Sequence, residues 1–375
     1  MMHFQPGSQV YMLVEFLSVA GEFPTCSMPL IGNERVLKTL INNLTKPQQL
    51  RGSQTETTCR LLTVTGKGAN RRIRLYKGAL PILKWIGAED YYLGAFWNHK
   101  FPGDQTHINR NFRVAETIAI CLSAGVEYRP YKLPELCNSK FSIVIPSEPV
   151  FYPSKTLKQY GDSEIKKTAF TRITGMLFTH GQAYAVYNSR NALMKWNGLS
   201  EFKMLNNMIE ICRLNAGINN LDSAILFCQS DSVALATLKE TEKNHRLEFR
   251  FDSIYQHIHY FPLNDIGIRQ FRLLTVPNWK EELLGMLFEE HQRSYNRGNF
   301  EYDAFIDGVY IFSFLDSDIA RLIRFKNAAK TMPKCEVLCF PNQQDLVKEF
   351  IGHSVRLKLI ELETVEDAFG IKEQK

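Results

Sequence analysis

The sequence predicts an α/β protein, α+β overall, in which a basic N-terminal domain precedes a longer region of alternating strands and helices. Helical periodicity near the N-terminus gives way to a strand–turn–strand pattern, and the alternation begins near residue 165. The length of 375 residues suffices for two or three domains. Hydrophobic residues make up 45% of the chain and charged residues 22%, which excludes a disordered or fibrous protein.

Three short helices are predicted first. A helix over 8–20 is capped by Ser8 and ended by Gly21, and a second begins at Thr25 or Ser27. Asn33 caps the third, over 34–46. Its apolar stripe contains Val36, Leu37, Leu40, Ile41 and Leu44, and its polar face contains Arg35, Lys38, Thr39, Asn42 and Lys46.

A hairpin with basic residues follows the third helix. Strands are predicted over 57–65 and 71–76, with a glycine-rich turn at 66–70 between them. The second strand places Arg72 and Arg74 on one face. A short helix over 79–86 closes the domain. This order is that of a winged helix, a helix-turn-helix with a β wing.

The basic charge is concentrated in the same part of the chain. Residues 1–100 contain twelve Lys or Arg and six Asp or Glu, whereas the rest of the chain contains 33 of each sign. Between Lys46 and Lys77, eight basic residues are opposed only by Glu56. This excess predicts a polyanionic partner, and we expect double-stranded DNA.

The third helix is expected to read base edges and the wing to contact phosphates. The predicted DNA-binding residues are Arg35, Lys38, Thr39, Asn42, Lys46, Lys67, Arg71, Arg72 and Arg74. The alternative is a winged helix that contacts protein or only packs within the chain.

The remaining sequence predicts an α/β region. A helix covers 106–125, on which Arg110, Arg113 and Glu116 are expected to form a solvated ion-pair face. The predicted strands are 172–179, 182–188, 224–228, 256–261, 307–315, 335–340 and 355–362, and the predicted helices are 199–214, 231–242, 318–330 and 343–351.

Four segments are predicted from these patterns: a DNA-binding domain at 1–90, a connector at 91–105, an α/β domain at 106–262 and a C-terminal α/β extension at 263–375. The extension is either a second copy of the preceding unit or a segment that shares its alternation alone.

Three motifs resemble the replication-relaxation family of plasmid and integrative-element proteins of Gram-positive bacteria. They are PLIGNERVLKTLINNL, RLLTVTGKGANRRIRLYKGALPILKWIG and TRITGMLFTHGQAYAVYN, within residues 8–230. The resemblance implies a winged helix joined to a domain similar to restriction endonucleases. DNA cleavage by a restriction endonuclease needs an acidic residue on one core strand and a Glu-x-Lys motif on the next, to hold Mg²⁺ and activate water.

The two core strands lack these groups, since they show Thr174, Gly175, Ala183 and Ala185 instead. Glu201-Phe202-Lys203 matches the Glu-x-Lys motif, but it lies at the start of a predicted helix, where a carboxylate complements the helix dipole. The resemblance therefore implies a degenerate domain, and we expect no enzyme, no metal and no cofactor.

Two other groups of residues could carry chemistry. His257 and His259 alternate on a strand and could bind a metal with Asp252 or Asp265, but an exposed strand face is favoured. The eight cysteines form no C-x-x-C pair, which predicts free thiols in a reducing compartment. No apolar run is long enough to span a membrane, so a cytoplasmic location is expected.

The sequence thus predicts a DNA-binding accessory or regulatory protein of a mobile genetic element, serving plasmid replication, relaxation or transfer. Its α/β region would contact a second copy of itself or another protein of the element. The alternatives are a metal-dependent nuclease with a non-standard site and a winged-helix module that binds protein.

Overall fold

A computed structural model describes residues 2–52, 56–101, 103–129, 148–160, 172–194, 199–213, 217–246, 250–294, 301–352 and 355–371. The predicted α+β class is confirmed. The chain divides into two compact units, Met1–Gly181 with Glu210–Gly217, and Gln182–Ile209 with Ile218–Lys375.

The first unit contains helices and short strands. The helices are α1 (Gln9–Ala20), α2 (Glu34–Leu44), α3 (Glu89–Ala95), α4 (Gln105–Ala124) and α5 (Ser154–Tyr160). The strands are β1 (Met2–His3), β2 (Glu22–Pro24), β3 (Gln48–Arg51), β4 (Glu56–Cys59), β5 (Leu62–Thr65), β6 (Arg72–Leu75), β7 (Val150–Pro153) and β8 (Ile173–Thr179). The 3₁₀ helices are Thr25–Ile31, Gly68–Asn70 and Lys77–Ile86.

Helix α1 is the centre of this unit. The Ser8 hydroxyl accepts the Tyr11 N–H, and Gly21 ends the helix at φ 75° while its N–H donates to the Leu17 carbonyl, as the sequence predicts. Leu13 and Leu17 are fully buried, and α4 packs against α1, β2 and the Thr25–Ile31 helix. Helix α4 is therefore part of the core around α1.

Two three-stranded sheets flank these helices. Strand β6 lies between β2 and β5, antiparallel to both, and β3 lies between β1 and β4. The single strand predicted over 57–65 is wrong, because β4 and β5 belong to different sheets. The Leu61 N–H donates to the Leu44 carbonyl at the end of α2, outside either ladder, so the chain must leave one sheet before it joins the other.

The predicted connector at 91–105 is also partly helical. Helix α3 begins at Glu89, and two carboxylates in its first turn complement the helix dipole. Tyr92 on this helix is fully buried, which fixes α3 against the core. The four segment limits given by the sequence remain a prediction.

The second unit contains two groups of parallel strands. The strands are β9 (Gln182–Arg190), β10 (Ser223–Cys228), β11 (His257–Pro262), β12 (Ala304–Ile306), β13 (Val309–Ser313), β14 (Cys335–Cys339) and β15 (Arg356–Leu359). The helices are α6 (Leu199–Ile211, whose last turn belongs to the first unit), α7 (Asp231–Lys243), α8 (Phe251–Ile254), α9 (Asp265–Leu274), α10 (Trp279–Leu287), α11 (Ile319–Ala329), α12 (Gln344–Ile351) and α13 (Leu362–Ala368), and the 3₁₀ helices are Glu290–Gln292 and Pro341–Gln343.

The two strand groups follow one order. Strands β9, β10 and β11 pair in parallel, and so do β13, β14 and β15, with helices between successive strands. The strand predicted over 307–315 is β13. The sequence did not predict β12, which pairs with β13 in a hairpin whose turn residues Asp307 and Gly308 have positive φ, as a two-residue turn requires. This shared order fits a second copy of one unit, which stays a prediction. Within the described ranges, no helix is both long and apolar enough to cross a membrane.

Two helical glycines give a matched test of the packing in the second unit. A Cβ added to Gly267 on α9 would overlap the Pro262 carbonyl, whereas a Cβ added to Gly285 on α10 meets nothing within 4 Å. We predict that Gly267→Ala destabilises the protein by about 1–3 kcal/mol, and that Gly285→Ala stabilises it by up to about 1 kcal/mol. Urea unfolding of both variants measures this, and equal stabilities would contradict the packing at α9.

Candidate nucleic-acid interface

Helix α2 presents a polar face to solvent. The Asn33 side chain accepts the N–H groups of Arg35 (3.0 Å) and Val36 (3.3 Å), which fixes the start of the helix as predicted. The buried side chains that anchor it are Leu37, Ile41 and Leu44. The exposed side chains of the helix include Arg35, Lys38, Thr39 and Asn42, and Lys46 is exposed just after the helix ends.

The apolar stripe predicted for this helix is wrong at one position. Val36 is 44% exposed, because neighbouring side chains on a helix point about 100° apart, and Leu37 is the one that faces the core. It lines a shallow depression of about 400 Å³ together with Arg35 and Thr39. An exposed methyl-bearing side chain beside polar groups suits contact with the edge of a base pair, where a thymine methyl offers an apolar partner.

The turn between β5 and β6 forms the second part of the candidate interface. Gly66 has a φ of 76°, and a Cβ there would overlap the Asn70 carbonyl, so the turn requires glycine. The backbone at Gly68 has open space around it. Lys67 and Arg71 are exposed on this turn, which we call the wing tip (residues 66–71).

An amide pair holds the wing tip in place. Asn70 Nδ2 donates to Gln105 Oε1 at 2.7 Å, and Gln105 Nε2 donates to Asn70 Oδ1 at 3.1 Å. Gln105 is the first residue of α4, so the turn is tied to a core helix. A fixed turn loses less entropy when it binds a ligand.

Two of the predicted DNA-binding residues have another role. Glu22 on β2 is fully buried, and its Oε1 accepts Arg72 Nε at 3.0 Å and Arg74 Nη1 at 3.4 Å. Only 11% of the Arg72 side chain and 26% of the Arg74 side chain are exposed. Their charge therefore neutralises Glu22 and fixes β6 against β2.

Four basic side chains of the candidate interface are free to bind an anionic ligand. Arg35, Lys46, Lys67 and Arg71 are exposed and form no ion pair with any residue that the structure describes. Lys38 lies 2.7 Å from Glu34, but both side chains are largely exposed, so this pair is weak.

The predicted ion-pair face on α4 is wrong at Glu116. This residue is fully buried, and its Oε1 accepts the Ser27 hydroxyl at 2.7 Å. The sequence pattern showed opposite charges at helical spacing, but it could not show that Ser27 of the Thr25–Ile31 helix contacts Glu116.

The two strand histidines lie side by side, as predicted, but the exposed strand face that was favoured is wrong at His259, which is 6% exposed. Their ring centroids are 6.4 Å apart with planes 17° from parallel. His257 Nδ1 lies 2.7 Å from Asp318 Oδ2, and His259 Nδ1 lies 2.8 Å from the Asp316 carbonyl oxygen. The residues expected to complete a metal site lie elsewhere, since Asp252 pairs with Arg250 and Asp265 is exposed at the start of α9.

The neighbours of these histidines form a buried network. Arg321 is 3% exposed and donates to Asp303 (2.7 Å), Asp316 (2.8 Å) and Glu301 (2.7 Å). Burial alone would raise the pKa of Asp318, but the hydrogen bond with His257 and the nearby His259 hold that pKa well below its usual value. In the described part of the chain, no three His, Cys, Asp or Glu side chains are placed to hold a metal.

Sequence reasoning missed this network because its members come from distant segments. The available signal was the pattern Asp316-Ser317-Asp318 before α11, in which Asp318 caps the helix by accepting the N–H groups of Ala320 and Arg321. The network connects β11 to α11, and we interpret it as structural.

The residues bearing on nuclease chemistry are buried. Thr174, Gly175, Ala183 and Ala185 lie inside β8 and β9. Glu201 lies in the first turn of α6, where the sequence predicts it. The seven cysteines that the structure describes are free thiols, and Cys137 lies outside the described residues.

No family model matches the chain, and neither does a curated protein or a solved structure.

Adjacent arginines on the wing give a prediction about stability. Arg72→Ala leaves the Glu22 carboxylate buried with only the longer contact to Arg74, so it should destabilise the protein by about 3 kcal/mol. Arg71→Ala removes an exposed side chain and should change stability by less than about 0.5 kcal/mol. Thermal and urea unfolding of the two variants measure the difference, and equal effects would contradict the assigned roles.

A second prediction concerns His259. Burial lowers the pKa of this imidazole, although the carboxylates of Asp318 and Asp316 oppose that shift. The unfolded chain binds the proton at about pH 6.5, before the folded chain does, so stability should fall as the pH drops below about 6.5. The loss should approach about 1.4 kcal/mol per pH unit.

Urea unfolding at about pH 7 and about pH 5.5 measures this loss. His259→Gln should reduce the difference in the free energy of unfolding between the two pH values. His245→Gln, at an exposed histidine, should leave that difference unchanged. A difference that His259→Gln does not change would show that other groups cause it.

Proposed function

We propose that the chain binds duplex DNA through a winged helix formed by α1, β2, the Thr25–Ile31 helix, α2, β5 and β6. The element order helix–strand–helix–helix–hairpin supports this assignment. So does the antiparallel sheet in which β6 pairs with both β2 and β5. Strands β3 and β4, which form a sheet with the N-terminal strand β1, are inserted between the third helix and the wing.

The single observation that carries the proposal is the distribution of charge on α2 and the wing tip. The first 100 residues have an excess of six positive charges, although Arg72 and Arg74 lie against the buried Glu22. The cations that stay exposed and unpaired within the described ranges include Arg35 on α2, Lys46 just after it, and Lys67 and Arg71 at the wing tip. Phosphates are the partners that such side chains prefer.

The residues on α2 would supply specificity. Arg35 and Asn42 are exposed, and their side chains match guanine and adenine edges. Val36 adds an apolar contact between them. The wing tip would contact the backbone, where the open space around Gly68 permits close approach.

We propose that this binding serves a mobile genetic element, in plasmid replication, relaxation or transfer, as the resemblance of the sequence motifs implies. The second unit would contact another copy of the chain or another protein of the element, without catalysis. The free thiols suit a reducing compartment, and we propose a cytoplasmic location.

The test uses the full chain, because α4 belongs to the core around α1. Fluorescence anisotropy with labelled duplexes should show binding whose log affinity falls by about 0.9 per phosphate contact for each log unit of salt. Lys67→Ala with Arg71→Ala should weaken binding to all sequences alike. Arg35→Ala or Asn42→Ala should cost about 1–3 kcal/mol on the preferred site and little on random DNA.

The control is Lys330→Ala with Lys358→Ala, which removes the same charge from exposed positions of the second unit. Equal weakening by the control would show that net charge alone attracts DNA. Binding that does not respond to salt would contradict the proposal. Nicking of supercoiled DNA in Mg²⁺ that disappears in His257→Ala/His259→Ala would favour the nuclease alternative.

A further inference from the structure

A small cavity opens beside the insertion in the first unit. It lies between β1, the start of α1, β3 and the end of the Lys77–Ile86 helix, and its volume is about 280 Å³. The side chains that line it include His3, Phe4, Gln5, Tyr11, Arg51 and Trp85. This volume is near the lower end of small-ligand sites, so it suits one flat ring system better than a peptide.

Three aromatic rings make a continuous surface in this cavity. Phe4 is 6% exposed and forms the floor. Its ring centroid lies 5.2 Å from Tyr11 and 5.8 Å from Trp85, which are both half-buried. Gly52 lies against the indole, since a Cβ there would approach the Trp85 ring to 3.0 Å. Aromatic surface left open in this way is available for stacking.

The rim of the cavity is polar and carries a cation. The Arg51 side chain is 57% exposed and lies 3.5 Å from Glu56, a contact too long and too exposed to hold it firmly. His3 and Gln5 are exposed at the same opening. Among the described residues that line the cavity, none is Asp or Glu, so the lining disfavours a cationic ligand.

We propose that this cavity takes one unpaired nucleobase, stacked on Trp85 and Tyr11, while Arg51 contacts the adjacent phosphate. Every base offers a π-face, and aromatic side chains with a basic rim are the combination that binds single strands. The inference rests on the proposed DNA binding and extends it: the protein would prefer DNA in which a duplex adjoins an unpaired base.

The experiment compares a blunt duplex with the same duplex carrying a one-base 2-aminopurine overhang. The full chain should bind the overhang duplex about tenfold more tightly, and the 2-aminopurine fluorescence should be quenched on binding. Trp85→Ala should abolish both the preference and the quenching, with blunt-duplex affinity unchanged. Trp85→Phe keeps a ring and should retain most of the preference.

The matched control is Trp97→Ala, because Trp97 is 78% exposed in the same unit and does not line the cavity. This variant should retain both the preference for the overhang duplex and the quenching of the 2-aminopurine fluorescence. Equal affinity for both duplexes, or quenching that survives Trp85→Ala, would overturn the inference. Binding of the blunt duplex would still support the proposed function in that case. Competition by free deoxyadenosine monophosphate at the concentration of the overhang would assign the cavity to a free nucleotide and overturn the DNA-base assignment.

Discussion

The buried carboxylate of Glu22 constrains the wing of the proposed DNA-binding face. Because this negative charge lies out of contact with water, it needs cations, and Arg72 and Arg74 on the neighbouring strand supply them. The pairing Glu22↔Arg74 also fixes the register of β2 against β6. The position of the wing tip follows from that register, and among the basic residues of the β5–β6 hairpin only Lys67 and Arg71 remain available to a polyanion.

The second unit depends on a comparable constraint. Asp318 is fully buried and accepts hydrogen bonds from the Ile258 N–H of β11 and from the first turn of α11. The side chain of Arg321, in the same first turn, donates to Asp303 and Asp316. A charged network that is satisfied by so many partners specifies one arrangement of the elements it connects, which suits a scaffold better than a reaction centre.

The sequence predicted the elements that local patterns determine. Ser8 and Asn33 cap helices where expected because an N-cap needs only a side chain and the next three backbone groups. Strands such as β10 and β14 followed from short apolar runs. Helices α9, α10 and α13 were missed, although α9 carried a local signal, since Asn264 caps it by accepting the Gly267 N–H.

The site was predictable only in part, because exposure depends on distant residues. Alternation placed Arg72 and Arg74 on one face of a strand, but Glu22, about 50 positions earlier, decides that this face is covered. The exposed face of α2 could be predicted because its own periodicity defines it. The aromatic cavity could not, since Phe4, Tyr11, Arg51 and Trp85 come from four separate elements.

Hydrogen–deuterium exchange of the full chain, with and without a duplex, tests the central claim most directly. The account predicts that DNA slows exchange in peptides covering α2 and the wing tip, while peptides from β13 to β15 stay unchanged. Protection confined to the second unit, or no protection at saturating DNA, would contradict it.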